Sequence, residues 1–206
     1  MKIVTINSQK GGVGKSTTAF CLAIAAYLDG KSSCILDLDP QSTSMNLRDR
    51  RQAEEPAVQT ATATRLKKFL EVAEKEKAEL VIIDTAPKNA TEALTAMEVS
   101  NLVIIPTTDS IGDLEAMQPT VDTAKLAKTP AYIYFCRIKP RSAMLASAQK
   151  AVGKYNIPLV PIVSHDRVIY STAAITGQTP QEIEPEGKAA QEISELYQWL
   201  KTVINL

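Results

Sequence analysis

The stretch NSQKGGVGKST, residues 7–17, combines glycine, lysine and hydroxyl side chains at a spacing suited to binding phosphate. The usual phosphate-loop pattern, GxxxxGK(S/T), is nevertheless broken, because Gln9 occupies its first glycine position and a second lysine, Lys10, follows at once. Three interpretations are open at this point. The stretch is a damaged nucleotide site, a glycine turn before a helix, or a variant loop in which Lys10 has a function of its own.

The elements on either side of the loop favour a phosphate site. The apolar run Ile3–Ile6 predicts a strand entering the loop, and a helix is predicted to begin at about Ser16. Backbone N–H groups and a helix N-terminus then converge on one point. In such a site Lys15 meets the β- and γ-phosphates, the Ser16 hydroxyl binds Mg²⁺, and Thr17 contacts the α-phosphate.

Two further segments place carboxylates directly after apolar runs. ILDLDPQ contains Asp37 and Asp39, and LVIIDTAP contains Asp84. Open α/β sheets bind ligands at the carboxyl ends of their strands, and a strand-end aspartate near Mg²⁺ is typical of phosphate-loop ATPases. An isolated aspartate in such a place is more often a helix cap or a turn residue. Together with the loop, the acids predict a magnesium-nucleotide site at one edge of a sheet.

The fold class follows from the spacing of the apolar runs. Continuous runs suit strands that are buried on both faces of a parallel sheet, and six are present: KIVTIN, SSCILDLD, AELVIIDTAP, NLVIIPTT, PAYIYFCR and IPLVPIVS. Helical patterns lie between them, over 16–29, where Gly30 is placed to end the helix, and over 186–204. The alternation predicts an α/β fold with a doubly wound, mainly parallel sheet flanked by helices, in a single domain of residues 1–206.

Two stretches are harder to assign. Pro119 interrupts a helical pattern and is predicted to kink the helix or split it in two. The segment Leu47–Lys77 is charged and rich in alanine and threonine, and we expect Pro56 to separate two helices there.

Composition narrows the functional classes. With 23 basic and 23 acidic residues the formal net charge is zero, so a nucleic-acid surface would have to be local. The three cysteines, Cys21, Cys34 and Cys136, form no CxxC pair, and we expect buried thiols in a reducing compartment. No apolar run approaches the length of a membrane span. A cytoplasmic protein is expected.

The segments KGGVGKST, DLDPQS, IIDTAP and LVIIPTT resemble, in order and spacing, the deviant Walker A ATPases of the ParA/MinD family. The likeness covers nearly the whole chain and is strongest to short ParA-type partition proteins that lack an N-terminal DNA-binding extension. The resemblance implies a P-loop ATPase that binds ATP and Mg²⁺ and hydrolyses ATP slowly on its own.

The resemblance also implies roles for single residues. Lys10 matches a signature lysine that reaches across a nucleotide-sandwich dimer to the partner's phosphates, Asp39 orients the attacking water, and Asp84 is the Walker B acid. The implied catalytic residues are Lys10, Lys15 and Asp39; the metal ligands are Ser16, Asp39 and Asp84; and the nucleotide-binding residues are Gly11, Gly12, Val13, Gly14, Lys15, Ser16, Thr17 and, at the adenine, Pro106 and Thr107.

Partners follow from the same resemblance. ATP is expected to drive formation of a homodimer that binds nonspecific DNA, and a small centromere- or cargo-binding adaptor protein is expected to stimulate hydrolysis and release. The cytoplasmic protein would then be nucleoid-associated while ATP is bound. Such a cycle uses hydrolysis as a timer, as in other nucleotide switches.

A local basic surface is the requirement for the DNA-binding role. Asp122 is the only acid from Ala116 to Asn156, in a stretch with many lysines and arginines. The alternative is an ordinary solvated surface. The candidate DNA-binding residues are Arg137, Lys139, Arg141, Lys150, Lys154 and Arg167.

Two rival functions use the same fold. A MinD-like, membrane-cycling ATPase needs a C-terminal amphipathic helix with a basic face, but ISELYQWLKTVINL has one lysine, so we expect Trp199 and Leu200 to pack in the core and no membrane partner. A small-molecule ligase or kinase would need an acid–base set. The only histidine, His165, is more typical of a cap or surface residue.

Overall fold

The computed structural model describes residues 1–206, and its centre is one sheet of six parallel strands. The strands are β1 (Lys2–Ile6), β2 (Ser33–Asp37), β3 (Ala57–Thr60), β4 (Leu80–Asp84), β5 (Leu102–Thr107) and β6 (Ala131–Phe135). They lie in the order β3-β2-β4-β1-β5-β6. β1 pairs with β4 on one side and with β5 on the other. The connections diverge beside β1, which leaves a crevice at its carboxyl end.

Helices cover both faces of this sheet. They are α1 (Lys15–Leu28), α2 (Thr43–Arg50), α3 (Leu66–Lys75), α4 (Ala90–Glu98), α5 (Ile111–Glu115), α6 (Gln118–Ala127), α7 (Leu145–Val152), α8 (Val168–Ile175), α9 (Pro180–Ile183) and α10 (Lys188–Ile204). Alternate residues of β4 face opposite layers: Ile82 packs in a cluster with α1 and α10, whereas Val81 and Ile83 pack in one with α3. This two-sided burial is the reason the strand is apolar throughout. The predicted doubly wound parallel fold is confirmed.

One of the six predicted strands is wrong. IPLVPIVS lies beside β6 and exchanges backbone hydrogen bonds with Ile133 and Phe135, but it forms a single isolated bridge, Leu159 with Ile133, and no continuous ladder. Pro158 and Pro161 have no N–H to donate, so a continuous ladder cannot form. The sixth strand is β3, which pairs with β2 and lies in the segment for which two helices were expected around Pro56. β3 is mostly exposed at the sheet edge, and no apolar run marks it.

The predicted helices are confirmed with small changes at their ends. α1 ends two residues before Gly30, whose φ of 75° is the left-handed conformation that glycine adopts at low cost. The pattern around Pro119 is split into α5 and α6, with Pro119 in the first turn of α6, where its missing N–H is not needed. None of the helices combines the length and the apolar character needed to cross a bilayer.

The C-terminal helices are tied to α2 by a buried ion pair. Arg51 Nη2 lies 2.8 Å from Glu182 Oε1 and Nη1 lies 3.1 Å from Oε2, while Nη1 also donates to the Gly177 carbonyl at 2.9 Å. The Arg51 side chain is only 2% exposed. Gly177, with φ of 65°, packs so closely that a Cβ atom would lie 2.2 Å from the Leu47 carbonyl oxygen. The segment after β2 and the C-terminal part of the chain are therefore held as one packed unit.

α10 uses its apolar face for internal packing. Leu196 and Leu200 are completely buried, and the Trp199 ring meets Tyr132 edge-on with ring centroids 5.0 Å apart. The prediction that Trp199 and Leu200 pack in the core is confirmed.

Candidate nucleotide site

The glycine loop connects β1 to α1 at the carboxyl edge of the sheet. Gly12 and Gly14 have φ of 78° and 94°, in the left-handed region that disfavours any residue with a Cβ atom. Nothing lies within 4 Å of the Cβ positions of Gly11 and Gly12, so this side of the loop is open. The loop therefore presents bare backbone to the crevice.

The backbone amides of the loop are all available to a ligand. No N–H from Gly11 to Thr17 donates to an acceptor within the chain, and the first internal bond of α1 is from Thr18 N–H to the Gly14 carbonyl. Consecutive unpaired amides at a helix N-terminus attract anions through their dipoles and hydrogen bonds. The loop therefore fits a phosphate group, as expected from its sequence.

Lys15 faces the same space. Its side chain lines the cavity and is largely buried, and its ammonium donates to the Lys10 carbonyl at 3.1 Å. Burial lowers the pKa of Lys15, although the carboxylates of Asp84 and Asp39 act in the opposite direction. A bound phosphate would place a negative charge beside this desolvated ammonium and stabilise its charged form.

The three predicted acids lie close together but have different environments. Both oxygens of Asp37 accept backbone N–H groups, from Asp39 at 3.0 Å and from Met45 at 3.1 Å. Asp84 is fully buried; its Oδ2 accepts from the Ser44 hydroxyl at 2.8 Å, and its Oδ1 has no partner. Burial, with the nearby charge of Asp37, raises the pKa of Asp84 to about 7. Asp37 thus holds the backbone of the segment after β2 in place, whereas Asp84 keeps one buried oxygen without a hydrogen-bond partner.

A magnesium ion fits this arrangement only together with phosphate. No group of three His, Cys, Asp or Glu side chains that could hold a metal is present. The free Oδ1 of Asp84, the carboxylate of Asp39 and the Ser16 hydroxyl offer hard oxygen ligands, which Mg²⁺ prefers along with phosphate oxygens and water. These are the residues that the resemblance assigned to the metal.

The crevice beside the loop is a cavity of about 480 Å³, within the range of small-molecule sites. Its lining includes the loop, the start of α1 and Asp39. Cys136 and Arg137, which follow β6, lie against the loop. The remaining lining comes mainly from the segment before α8 and from α8 itself, with Ser164, His165, Asp166, Tyr170, Ser171 and Ala174.

Pro106 and Thr107 are not part of this cavity. Both are buried as the last residues of β5, where they pair with Tyr134 and Phe135 of β6. Their expected place at the adenine stays a prediction that this geometry does not favour. Arg137, Ser164 and His165, which do line the cavity, stand at or directly after the ends of the strand-like runs PAYIYFCR and IPLVPIVS, so the rule that ligands bind at carboxyl ends of strands could have found them.

The second lysine of the loop has a different position. Lys10 does not line the cavity; its side chain is 49% exposed, and its ammonium lies 3.9 Å from the carboxylate of Asp113. Of the two lysines, only Lys15 faces the cavity of its own chain.

The six candidate DNA-binding residues do not form one patch with one environment. Arg137 lies against the glycine loop and donates to the Gly12 carbonyl. Arg167 is paired with Glu192 at 2.6 Å, and Glu192 also accepts from His165. Burial favours a higher pKa for Glu192, but these contacts outweigh it and lower the pKa. The remaining four, like Arg137, are exposed and have no acidic partner within 4.0 Å, but they make no hydrogen bond with the glycine loop: Lys139, Arg141, Lys150 and Lys154.

The parallel sheet, the switch-point crevice and the amide-lined loop define a P-loop nucleotide-binding protein. Its family is shown by sequence: the chain belongs to the CobQ/CobB/MinD/ParA nucleotide-binding family, whose model matches residues 4–180. The predicted ParA/MinD family membership is confirmed, and with it the enzyme class, an ATPase.

Known proteins are similar over almost the full length. The chain is 28% identical over 194 residues to the maintenance of carboxysome distribution protein A of Gloeobacter kilaueensis, covering 93% of this chain and 88% of the relative. Apo McdA from Cyanothece has a TM-score of 0.80 at 18% identity and covers 97% and 99% of the two chains. The pNOB8 ParA bound to nonspecific DNA has a TM-score of 0.71 at 14% identity, covering 99% and 98%. At these identities the structural likeness supports the fold.

Proposed function

We propose that this chain is a positioning ATPase that dimerises around Mg·ATP, binds nonspecific DNA as a dimer, and returns to the monomer after hydrolysis. The main support for the proposal is the different position of the two loop lysines. Lys15 faces the cavity, whereas Lys10 lies outside it and is half exposed. A lysine that its own nucleotide does not engage is available to the nucleotide of a second copy.

Within one chain, the site residues can position ATP and a water molecule. The amides of Gly11 to Thr17 and the Lys15 ammonium hold the phosphates, and Mg²⁺, when bound, neutralises charge on their oxygens. Asp39 Oδ1 is occupied by the Gln41 N–H at 2.9 Å, which leaves Oδ2 to orient a water. Since phosphoryl transfer depends on positioning and charge neutralisation, a further lysine from a second copy would accelerate it.

The surface around the cavity suits a second copy. On α8, Tyr170 lines the cavity while Val168 and Ile175 point outward, 82% and 73% exposed. Ile111, 63% exposed, begins α5 two residues before the Asp113 that lies near Lys10. Exposed apolar side chains grouped around a site are typical of an interaction surface. A sandwich dimer would cover them and bring Lys10 to the facing cavity.

Nonspecific DNA binding is assigned to the exposed lysines and arginine after β6. Lys139, Arg141, Lys150 and Lys154 carry charge that no neighbouring carboxylate neutralises. Uncompensated charge of this kind binds phosphate backbones without reading sequence. The ParA relative with nonspecific DNA is a precedent on the same fold.

A small adaptor protein that is bound to the cargo would stimulate ATP hydrolysis. A plasmid or chromosome region and a protein assembly are both consistent with the fold, and the carboxysome-distribution relatives support a protein assembly. The protein would be cytoplasmic and nucleoid-associated while bound to ATP. The single-domain prediction for residues 1–206 remains a prediction.

The MinD-like membrane-cycling role is less well supported. It requires a C-terminal amphipathic helix free to lie on a bilayer, whereas the apolar face of α10 packs against α1. A ligase role, as for cobyrinic acid a,c-diamide synthase on a similar fold, needs a second substrate site; His165, which such chemistry could recruit, is instead held by Glu192.

The test measures mass and DNA binding in parallel with no nucleotide, Mg·ADP and Mg·ATP. Light scattering should show a dimer only with Mg·ATP, and duplex DNA of arbitrary sequence should shift only in that state. Lys10→Ala should still bind nucleotide but stay monomeric, while Lys128→Ala, an exposed lysine remote from the loop, should behave as wild type. A Lys10→Ala protein that dimerises normally would show that this lysine has no role across the dimer.

A further inference from the structure

Arg137, a candidate for DNA binding by its charge, is placed by the structure on the wall of the nucleotide cavity. No carboxylate lies within salt-bridge distance of it. Its backbone φ of 56° is left-handed, a conformation that costs an arginine energy and is held here by the structure around it. The contacts of Arg137 with the phosphate loop explain why this unpaired cation is held in a strained backbone conformation.

Arg137 and its neighbour Cys136 both donate to the glycine loop. The Arg137 guanidinium donates to the Gly12 carbonyl, and the Cys136 thiol donates to the Val13 carbonyl at 3.0 Å. Two consecutive residues at the end of β6 thus bind two consecutive carbonyls of the loop. Burial raises the pKa of Cys136 to about 12, so the thiol keeps the proton that this hydrogen bond needs.

These contacts determine which way the loop amides face. In a planar trans peptide the C=O and the following N–H point in opposite directions. Holding the Gly12 carbonyl toward Arg137 therefore turns the Val13 N–H away from it, and holding the Val13 carbonyl toward Cys136 does the same for the Gly14 N–H. Those two amides have no acceptor within the chain.

The same two side chains support the loop sterically. A Cβ atom on Gly14 would lie 3.4 Å from Cys136 Sγ and 3.6 Å from Arg137 Cδ, so the loop rests directly on them. Glycine loops are otherwise mobile, and an ordered loop binds phosphate more tightly because less entropy is lost on binding.

We propose that Cys136 and Arg137 are positioning residues of the nucleotide site, which hold the Gly12 and Val13 carbonyls so that the following amides are presented to the phosphates. Arg137 thereby belongs to the nucleotide site and not to the DNA-binding surface. This inference rests on nucleotide binding by the loop, as in the proposed function.

The test is nucleotide affinity, measured by calorimetry for Mg·ADP and Mg·ATP. Arg137→Ala should weaken both by about tenfold, the effect of losing one charge-assisted hydrogen bond. Arg137→Lys, which keeps a charged donor, should restore most of the affinity. Lys128→Ala is the matched control, because it removes one exposed positive charge at a left-handed position with φ of 57°, away from the loop.

Further measurements separate positioning from general destabilisation. At saturating ATP the turnover of Arg137→Ala should stay close to wild type, so the loss should be seen in KM. Cys136→Ala should weaken nucleotide binding and Cys136→Ser, which keeps a donor, should restore it, with urea midpoints recording the stability of each. At saturating Mg·ATP, Arg137→Ala should bind duplex DNA like Lys128→Ala.

Two outcomes would overturn the inference. One is a nucleotide affinity for Arg137→Ala equal to that of Lys128→Ala; the other is a loss confined to DNA binding, which would return Arg137 to the DNA-binding surface. Failure of the proposed function is distinguishable: without nucleotide binding by the loop, the wild-type chain itself would fail to bind Mg·ADP and Mg·ATP, whereas a failure of dimerisation or DNA binding alone would appear in the wild-type chain and leave these affinities unchanged.

Discussion

Replacing Arg51 by methionine should lower the stability of the protein substantially, because it leaves a partly buried carboxylate without its cation. The guanidinium makes two hydrogen bonds to Glu182 and one to the Gly177 carbonyl, and all three are lost. Breaking a buried ion pair costs about 3–5 kcal/mol. The 17% exposure of Glu182 and its remaining bonds from the N–H and hydroxyl of Thr179 place the loss near the lower end of that range.

Urea unfolding followed by circular dichroism measures this loss. With a slope of about 3 kcal/mol/M for a chain of this size, a loss of about 3 kcal/mol lowers the midpoint by about 1 M. The matched control is Lys31→Met, which removes the exposed ion pair between Lys31 and Glu79 and should leave the midpoint nearly unchanged.

A second change tests the cause of the loss. Adding Glu182→Gln to Arg51→Met removes the unpaired charge, so the double variant should regain part of the stability. Equal midpoints for Arg51→Met and Lys31→Met, or no recovery in the double variant, would refute the reasoning from the buried charge.

Three further predictions concern the loop, pH and close packing. Lys15→Ala should abolish binding of ATP and ADP in calorimetry, and retained affinity would remove the phosphate-loop assignment. Glu192 has a lowered pKa, so it stabilises the fold above the unfolded value of about 4.5 and this contribution is lost as pH falls through its lower folded value. The thermal midpoint of Glu192→Gln should therefore lie below wild type at neutral pH and approach it in acid; a constant gap would contradict this. Gly177→Ala should destabilise the protein more than Gly30→Ala, because both positions have positive φ but only the first added Cβ meets a carbonyl, that of Leu47 at 2.2 Å. Equal unfolding midpoints would show that the packing relaxes.

The parts of the fold with a strong apolar signal could be predicted from sequence. β1, β4 and β5 are buried on both faces, and their residues are apolar for that reason. β3 carries no such signal, since three of its four residues are exposed at the edge and its pairing with β2 depends on contacts between distant parts of the chain. The run IPLVPIVS has the composition of a strand, but its prolines prevent a continuous ladder.

The candidate site likewise has residues that could be predicted from sequence and residues that could not. Gly12, Gly14 and Lys15 could be predicted as candidates because a phosphate loop needs those residue types in a fixed local order, and Asp84 because it ends an apolar strand. The rest of the lining is assembled from Arg137, the segment around His165, and α8, which lie far from the loop in the sequence and share no motif with it. Charge alone could not separate Arg137 from the basic residues that follow it, because the difference lies in a backbone conformation and a contact with Gly12.

The two edges of the sheet have a consequence for behaviour at high concentration. Unpaired strand edges invite other chains to add as further strands and thus promote aggregation. Here β3 is only four residues long, and β6 is bordered by a segment whose prolines, Pro158 and Pro161, interrupt any ladder. Neither edge therefore offers a long, regular template to a second copy, so we expect little strand-to-strand aggregation when the protein is concentrated.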